Sequence, residues 1–310
     1  MITFSIIVPV YNGQSHIRET IDSVIKHSQH QHKEILVVND GSTDKTLEIL
    51  QRYQKEITII SQANGGEASA VNLGINAAKG KYILVVSADD PLISEDLFNQ
   101  AQNILDNNEE LVAAYPDWQM IDSKNDVLSV KYCPEYSFEE LLGRFHCIPG
   151  PGAVFRAKDA KEIGGRSAEY RFVSDYDFWL RLACKGSFAH IPHVLAQWRS
   201  HSDSTSIGLR GYEMALERIS VVQNFLTKYP QDEILTRQAK ACSLYNAAIL
   251  ALFDSDVPGR KWMVEALIIN KKWINSSKFI IVAYLLTLPF SRPVFTILSA
   301  LGLTKKRIHK

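Results

Sequence analysis

Four short runs of almost wholly apolar residues, separated by stretches of helical periodicity, restrict this 310-residue chain more than any other feature of it. FSIIVPV (4–10), EILVVN (34–39), ITIIS (57–61) and YILVVS (82–87) are rich in β-branched residues and lack polar alternation. That is the pattern of parallel strands covered on both faces. Between them, a 3.6-residue period puts Ile17, Ile21, Val24 and Ile25 on one helix face, Leu47, Leu50 and Tyr53 on a second, and Ala68, Val71, Ile75 and Ala78 on a third. A fourth helix is expected after Ser94 as N-cap, with Leu97, Ala101, Ile104 and Leu105 inward. The first half is therefore an α/β domain, a sheet with helices on its faces. Such sheets bind ligands at the carboxyl ends of their strands. The residues there are Tyr11 and Asn12, then Asp40 and Gly41, then Asn64, Gly65 and Gly66, then Asp89 and Asp90.

From about Gly208 the pattern turns wholly helical, with stretches near 212–229, 232–253 and 257–274. We expect a domain over 1–207 and a helical region over 208–310. Hydrophobic residues at 46% and charged residues at 22% are ordinary for a soluble globular protein and exclude collagen-like, disordered and multi-span membrane classes. The formal net charge of zero hides an asymmetry, because residues 257–310 hold ten basic residues against one acid, Glu265. A basic, apolar tail behind an acidic body points to an anionic partner. The apolar segment 279–303 is interrupted by Pro289, Arg292 and Pro293. It reads as two short helices in a membrane interface, followed by KKRIHK to hold anionic headgroups, or as core helices of the appendage. The N-terminus lacks the basic start, long apolar run and cleavage site of a secretory signal. Cys133, Cys147, Cys184 and Cys242 form no Cys-x-x-Cys pair. A cytoplasmic setting, peripheral at the inner face of the membrane, is the expectation.

The first strand end lacks the Gly-x-Gly-x-x-Gly of dinucleotide sites, and no Gly-x-x-x-x-Gly-Lys-Ser/Thr phosphate loop occurs. What is left is a set of carboxylates at strand ends, suited to holding a hard divalent cation against a substrate's phosphates. Asp40 before Gly41 is equally a turn pair, and Asp89-Asp90-Pro91 equally a capped turn.

IIVPVYN at the start, VVNDGSTD around Asp40, NGGEASAVNLGINAAKGKYILVVSADD ending at Asp90 and SDYDFWLRLACKG from Ser174 resemble, in order, the motifs of family 2 glycosyltransferases. The resemblance covers roughly residues 3–205. It implies a GT-A fold, a Rossmann-like mixed sheet with helices on both faces, and an inverting transfer of sugar from a UDP- or dTDP-linked donor. The acceptor would be a glycan or a polyprenyl-diphosphate-linked sugar, with no role for nucleic acid. Donor contacts are implied for Pro9, Tyr11, Asn12, Asp40, Asn64, Gly65, Gly66, Asn72, Ser87, Ala88 and Asp89. Tyr11 would stack on the base and Asp40 would accept the N3 proton of uracil or thymine.

The family's metal motif usually reads Asp-x-Asp. Here Ser87 stands in the first position, so the resemblance leaves Asp89, with His201, to hold Mg2+ or Mn2+. Asp175 aligns with the aspartate that takes the acceptor's proton, and Ser174 replaces the usual Glu before it. Gly150, Gly152, Asp177, Trp179, Arg199 and His201 are implied on the acceptor side or at the diphosphate. Trp118, Trp179 and Trp198 are either sugar-stacking or packing residues. The departures at Ser87 and Ser174 keep open a second reading, a catalytically silent nucleotide-sugar-binding or scaffold protein of the same fold. Release of nucleotide from the donor discriminates the two.

Overall fold

The structure, a computed structural model, describes residues 2–146, 148–200, 211–251 and 259–270. These fall into two compact units, one holding 2–141 and 148–200, the other 142–146 and the helices from 211 onward.

The first unit runs β1 (Phe4–Val10), α1 (Ile17–His27), β2 (Lys33–Asn39), α2 (Thr46–Leu50) with a 3-10 turn over Gln51–Tyr53, β3 (Thr58–Ser61), α3 (Glu67–Ala77), β4 (Tyr82–Val85) and α4 (Asp96–Asn107). It continues with β5 (Leu111–Ile121), β6 (Val127–Lys131), the start of α5 (Phe138–Arg144), β7 (Val154–Arg156), α6 (Ala157–Glu162), α7 (Ser174–Ala183) and β8 (Ser187–Arg199). The eight strands form one sheet in the order β3-β2-β1-β4-β7-β5-β6, with β8 also on β5. β1 is parallel to β2 and β4, β2 to β3, and β5 to β8. β7 is antiparallel to both β4 and β5. Two reversals restore direction, so β5 and β8 end at the same sheet edge as β1 to β4, and β7 starts there.

Every residue of β1 is buried, as its unbroken apolar run requires. One face packs Phe4, Ile6 and Val8 against Ile17, Ile21 and Val24 of α1 and Leu97, Phe98 and Ala101 of α4. On the other face lies α3, with Ala70, Val71, Gly74 and Ile75 buried. A Cβ at Gly74 would stand 2.4 Å from Ile7 Cγ2, so only glycine lets α3 lie this close to β1.

Three local expectations shift. α2 is only five residues long, turns Thr46 and Leu50 inward and leaves Leu47 exposed. Ala68 is half-buried, with Ala70 taking the core position. α4 starts at Asp96, whose N–H bonds Ser94 Oγ at 3.1 Å, so Ser94 still satisfies a first-turn donor.

In the second unit α8 (Gly211–Lys228), α9 (Glu233–Ala251) and α10 (Gly259–Ile269) match the three periodic stretches. Ala215, Ala241, Ala247, Ala248 and Ala266 pack with Leu244, Trp262 and Met263, small side chains that allow close helix approach. No helix among the described residues is long and apolar enough to cross a membrane. The 279–303 segment, the basic end of the chain and His201 lie outside the described residues.

Candidate active site

The sheet order 3-2-1-4 reverses direction between β1 and β4, the place where an open α/β sheet leaves a crevice. One residue opens it. The β1–β4 ladder ends at Ile7 opposite Val85, where Val86 N–H donates to the Ile7 carbonyl. Alternate residues face the same neighbour, so the next donor toward β4 belongs to residue 9, a proline without an N–H. Pro9 is buried inside β1 opposite Val38. It shapes the crevice from within the strand and is not a surface contact for a donor.

Loops after β1, β2 and β3 are laced together by side chains. Asn12, at φ 51°, accepts Thr43 N–H at 2.8 Å through Oδ1, while its own N–H donates to Ser42 Oγ at 3.0 Å. Gly13 N–H donates to Thr46 Oγ1 and Gln14 N–H to Asp44. Asn12 is thus engaged in holding the 42–43 loop. Asp40, buried at 2% exposure, accepts from Gly65 N–H at 2.8 Å, Gly66 N–H at 2.9 Å and Gln62 Nε2 at 2.6 Å. A carboxylate offers about four acceptor sites, so one is left over. Gly41 sits at φ 73°, and a Cβ there would lie 2.8 Å from Asn64 N. Asn64, Gly65 and Gly66 are exposed, and Tyr11 is 51% exposed on the neighbouring loop.

After β4 a turn separates the two aspartates. Asp90 N–H bonds the Ser87 carbonyl at 3.1 Å, and Thr20 Oγ1 donates to the Ala88 carbonyl at 2.8 Å. Asp90 is buried, with Oδ1 accepting Arg199 N–H at 2.7 Å. Burial, reinforced by the Asp89 carboxylate, pushes Asp90's pKa up to about 8. Asp89 stays half-buried, and Ser87 is exposed. Among the described residues no three His, Cys, Asp or Glu side chains stand together as a complete metal cage. Mg2+ and similar hard ions need only one or two carboxylates when substrate phosphates and waters complete the shell. Asp89, a half-buried carboxylate on the turn after β4, fits an ion of that kind, while the Ser87 hydroxyl bonds Asp90.

The helix α7 leads into β8 and runs against it, so its N-terminus returns to the carboxyl edge. Asp175 there is exposed, and its Oδ1 accepts Tyr176 N–H at 2.7 Å. Withdrawal from bulk solvent raises its pKa, against the Arg166 guanidinium, which lowers it, and with Glu67, which raises it. Arg166 Nη1 donates to Glu67 Oε1 at 2.7 Å. Glu67 follows Gly66 directly, so the loop that bonds Asp40 also carries the carboxylate paired with Arg166, and the charges of that pair act on Asp175. Asn72 holds Arg166 in place: its Nδ2 donates to the Arg166 carbonyl and its Oδ1 accepts Arg166 N–H, both at 2.7 Å. Its side chain is spent on this clamp instead of on a donor.

Other expected contacts are drawn into the fold. Asp177 Oδ2 accepts Arg181 Nε at 2.8 Å and Nη2 at 2.5 Å, while Arg181 also donates to the carbonyls of Ile163 and Gly165. Trp179, at 6% exposure, lies edge-on to Phe155, Phe178 and Phe188. Arg199 is 1% exposed, with its guanidinium bonded to protein groups. Gly150 lies against Trp118, where a Cβ would stand 2.7 Å from Nε1, and Gly152 lies against Pro116 and Ala196. Trp118 and Trp198 are half-buried, 6.4 Å apart and edge to face, at the same sheet edge. No sequence motif singles out Glu67 or Arg166. Only the Gly164–Gly165 pair before Arg166, both at positive φ, could have flagged a sharp turn there.

The description "Glycosyl transferase family 2" matches residues 5–164. An uncharacterised glycosyltransferase of Rickettsia prowazekii is 33% identical over 240 residues, covering 74% of each chain. Among solved structures, residues 1–349 of S. aureus TarS in complex with UDP-GlcNAc superpose with a TM-score of 0.66 at 17% identity, covering 86% of this chain and 80% of that one. The mannosyltransferase PcManGT from Pyrobaculum calidifontis, in complex with GDP-Man and Mn2+, gives 0.55 at 17% identity over 97% of this chain and 81% of its own. The sheet order, the ring of loops at its carboxyl edge and the match over more than half the chain converge: this protein is a GT-A-fold glycosyltransferase and belongs to glycosyl transferase family 2.

Proposed function

We propose that the chain transfers a sugar from a UDP- or dTDP-linked donor to the hydroxyl of a glycan or lipid-linked acceptor, with inversion at the anomeric carbon. The observation that carries this reading is Asp175, an exposed carboxyl at the N-terminus of α7 with a raised pKa, lying in the field of the Arg166–Glu67 pair that adjoins the glycine loop. Tyr11 offers a ring for the base, and the remaining acceptor site of Asp40 suits a pyrimidine N3–H. Asp89 would hold Mg2+ or Mn2+, which when bound stabilises the departing diphosphate as a Lewis acid.

Asp175 takes the proton from the acceptor hydroxyl as that oxygen bonds to the anomeric carbon. The bond from that carbon to the diphosphate breaks on the opposite face, and the nucleoside diphosphate leaves with the electron pair. A base with a raised pKa is better matched to neutral pH than an ordinary carboxylate. Trp118 and Trp198 supply aromatic surface beside Gly150 for an acceptor sugar. The basic, apolar composition of 257–310 supports an acceptor held at the cytoplasmic membrane face, such as a polyprenyl-diphosphate-linked sugar.

The test is nucleotide release from a panel of UDP- and dTDP-sugars with Mn2+, with Asp175→Asn and Asp89→Ala in parallel. Release that requires Asp175 and Asp89 is expected. Binding without turnover in the wild type favours the second reading, a silent nucleotide-sugar-binding protein, for which the serine at 87 in place of a carboxylate is the supporting observation.

A further inference from the structure

We infer that Arg199 is a positioning residue that fixes the peptide carrying Asp89 and ties it to the acceptor-side strand. Its guanidinium reaches three chain segments at once. Nε donates to the carbonyl of Asp89 itself at 2.8 Å, Nη1 to the carbonyl of Asp122 at the end of β5 at 3.2 Å, and Nη2 to Glu19 Oε2 on α1 at 2.9 Å. Its main-chain N–H adds a fourth tie, to Asp90 Oδ1 at 2.7 Å.

The partners are themselves held. Glu19 Oε1 accepts Asn125 Nδ2 at 2.9 Å, and Asp122 Oδ1 closes the β5–β6 turn by accepting the N–H groups of Lys124 at 2.7 Å and Asp126 at 3.0 Å. One side chain therefore sets the spacing between the donor turn at 87–90 and the hairpin that follows Trp118.

Stability alone is a poor reason for this arrangement. A guanidinium at 1% exposure has lost its water, and its ionic partner among the described residues, Glu19, is 42% exposed in its side chain. Apolar residues of similar volume are often as stable in such places or more so. What an apolar residue cannot do is donate in a planar fork to two carbonyls and a carboxylate. With Asp89's carbonyl held by Nε and Ala88's by Thr20, the turn has little freedom to move the Asp89 side chain.

The inference rests on the reading of Asp89 as the residue that holds the cation, so the experiment separates the two. Free Mn2+ is measured by its EPR signal during titration of the full chain with UDP present, for the wild type, Arg199→Lys, Glu19→Gln and Asp89→Asn. UDP affinity without metal and thermal unfolding are measured alongside. Removing a group that orients a metal-bearing residue lowers metal affinity by roughly 10–100-fold. Arg199→Lys and Glu19→Gln are expected to weaken Mn2+ by at least about ten-fold while metal-free UDP affinity stays unchanged, a split that general loosening of the fold would not produce. Should Arg199→Lys fail to fold, Glu19→Gln carries the same test from the half-exposed partner. Wild-type Mn2+ affinity in both, beside a weakened Asp89→Asn, overturns the positioning role alone. Wild-type affinity in Asp89→Asn overturns the metal reading and this inference with it.

Discussion

Asp175 and Asp177 stand two residues apart on the first turn of α7, and the structure predicts opposite consequences for their substitution. In Asp177→Asn, Arg181 loses the carboxylate that takes two of its N–H bonds, with both side chains only 11% exposed. Breaking a buried pair costs about 3–5 kcal/mol when one charge is left bare. Here Arg181 keeps the carbonyls of Ile163 and Gly165, and asparagine can still accept one bond, so about 2–3 kcal/mol is expected. In a domain of this size that lowers the melting temperature by about 5–10 °C. Turnover of the folded enzyme, measured well below the transition, should stay near wild type. Asp175→Asn should do the reverse. The asparagine oxygen can still accept Tyr176 N–H, and a carboxyl whose pKa the fold raises is replaced by a neutral group, so stability at neutral pH is unchanged or higher. Sugar transfer should fall by about 10²–10⁴-fold, the usual contribution of a general base. Calorimetry and initial rates on both variants decide the matter. A thermally neutral Asp177→Asn that has lost turnover would refute the argument and move the base to Asp177.

Three further outcomes follow from the same geometry. Because burial raises Asp175's folded pKa above the ordinary 3.8, the folded state binds more protons than the unfolded chain in the window above that value. Its contribution to stability therefore falls as pH rises through the window. The melting-temperature difference between Asp175→Asn and wild type should widen upward from about pH 4, while wild-type turnover falls on the acid side at a higher pH than a free carboxylate would give. Asp90 is pushed up to about 8, so at pH 7 without metal the folded state must hold a proton that the unfolded chain does not, and Asp90→Asn should be neutral or stabilising there. In EDTA the wild type should lose stability as pH rises from about 4 through about 8 and level off above that, and the variant should not. Gly41→Ala forces a side chain into a left-handed position 2.8 Å from Asn64 N, costing about 1–2 kcal/mol in conformation alone. Displacement of the Asn64–Gly66 loop should also weaken UDP, as isothermal titration would report.

The alternation of β1 to β4 with α1, α3 and α4, and the three helices α8 to α10, were legible in the chain because strand burial and helix faces are written in residues a few positions apart. So were the polar residues at the strand ends, since a parallel sheet must present them on one edge. The i, i+4 spacing of Asp177 and Arg181 was also on the page as a helical ion pair, a signal that the motif resemblance overrode. The division of labour within the site was not legible. Asp90 is inside and Asp89 at the edge because Arg199, more than a hundred residues later, takes Asp90's oxygen and Asp89's carbonyl. Asn72 holds a loop from the other side of the domain, and Pro9's missing N–H matters only once the register puts it toward β4. Local order follows from neighbours in sequence. The roles of individual polar groups were decided by which distant donors and acceptors the sheet edge brought within hydrogen-bond reach, because a buried polar group must find a partner and folding chooses it.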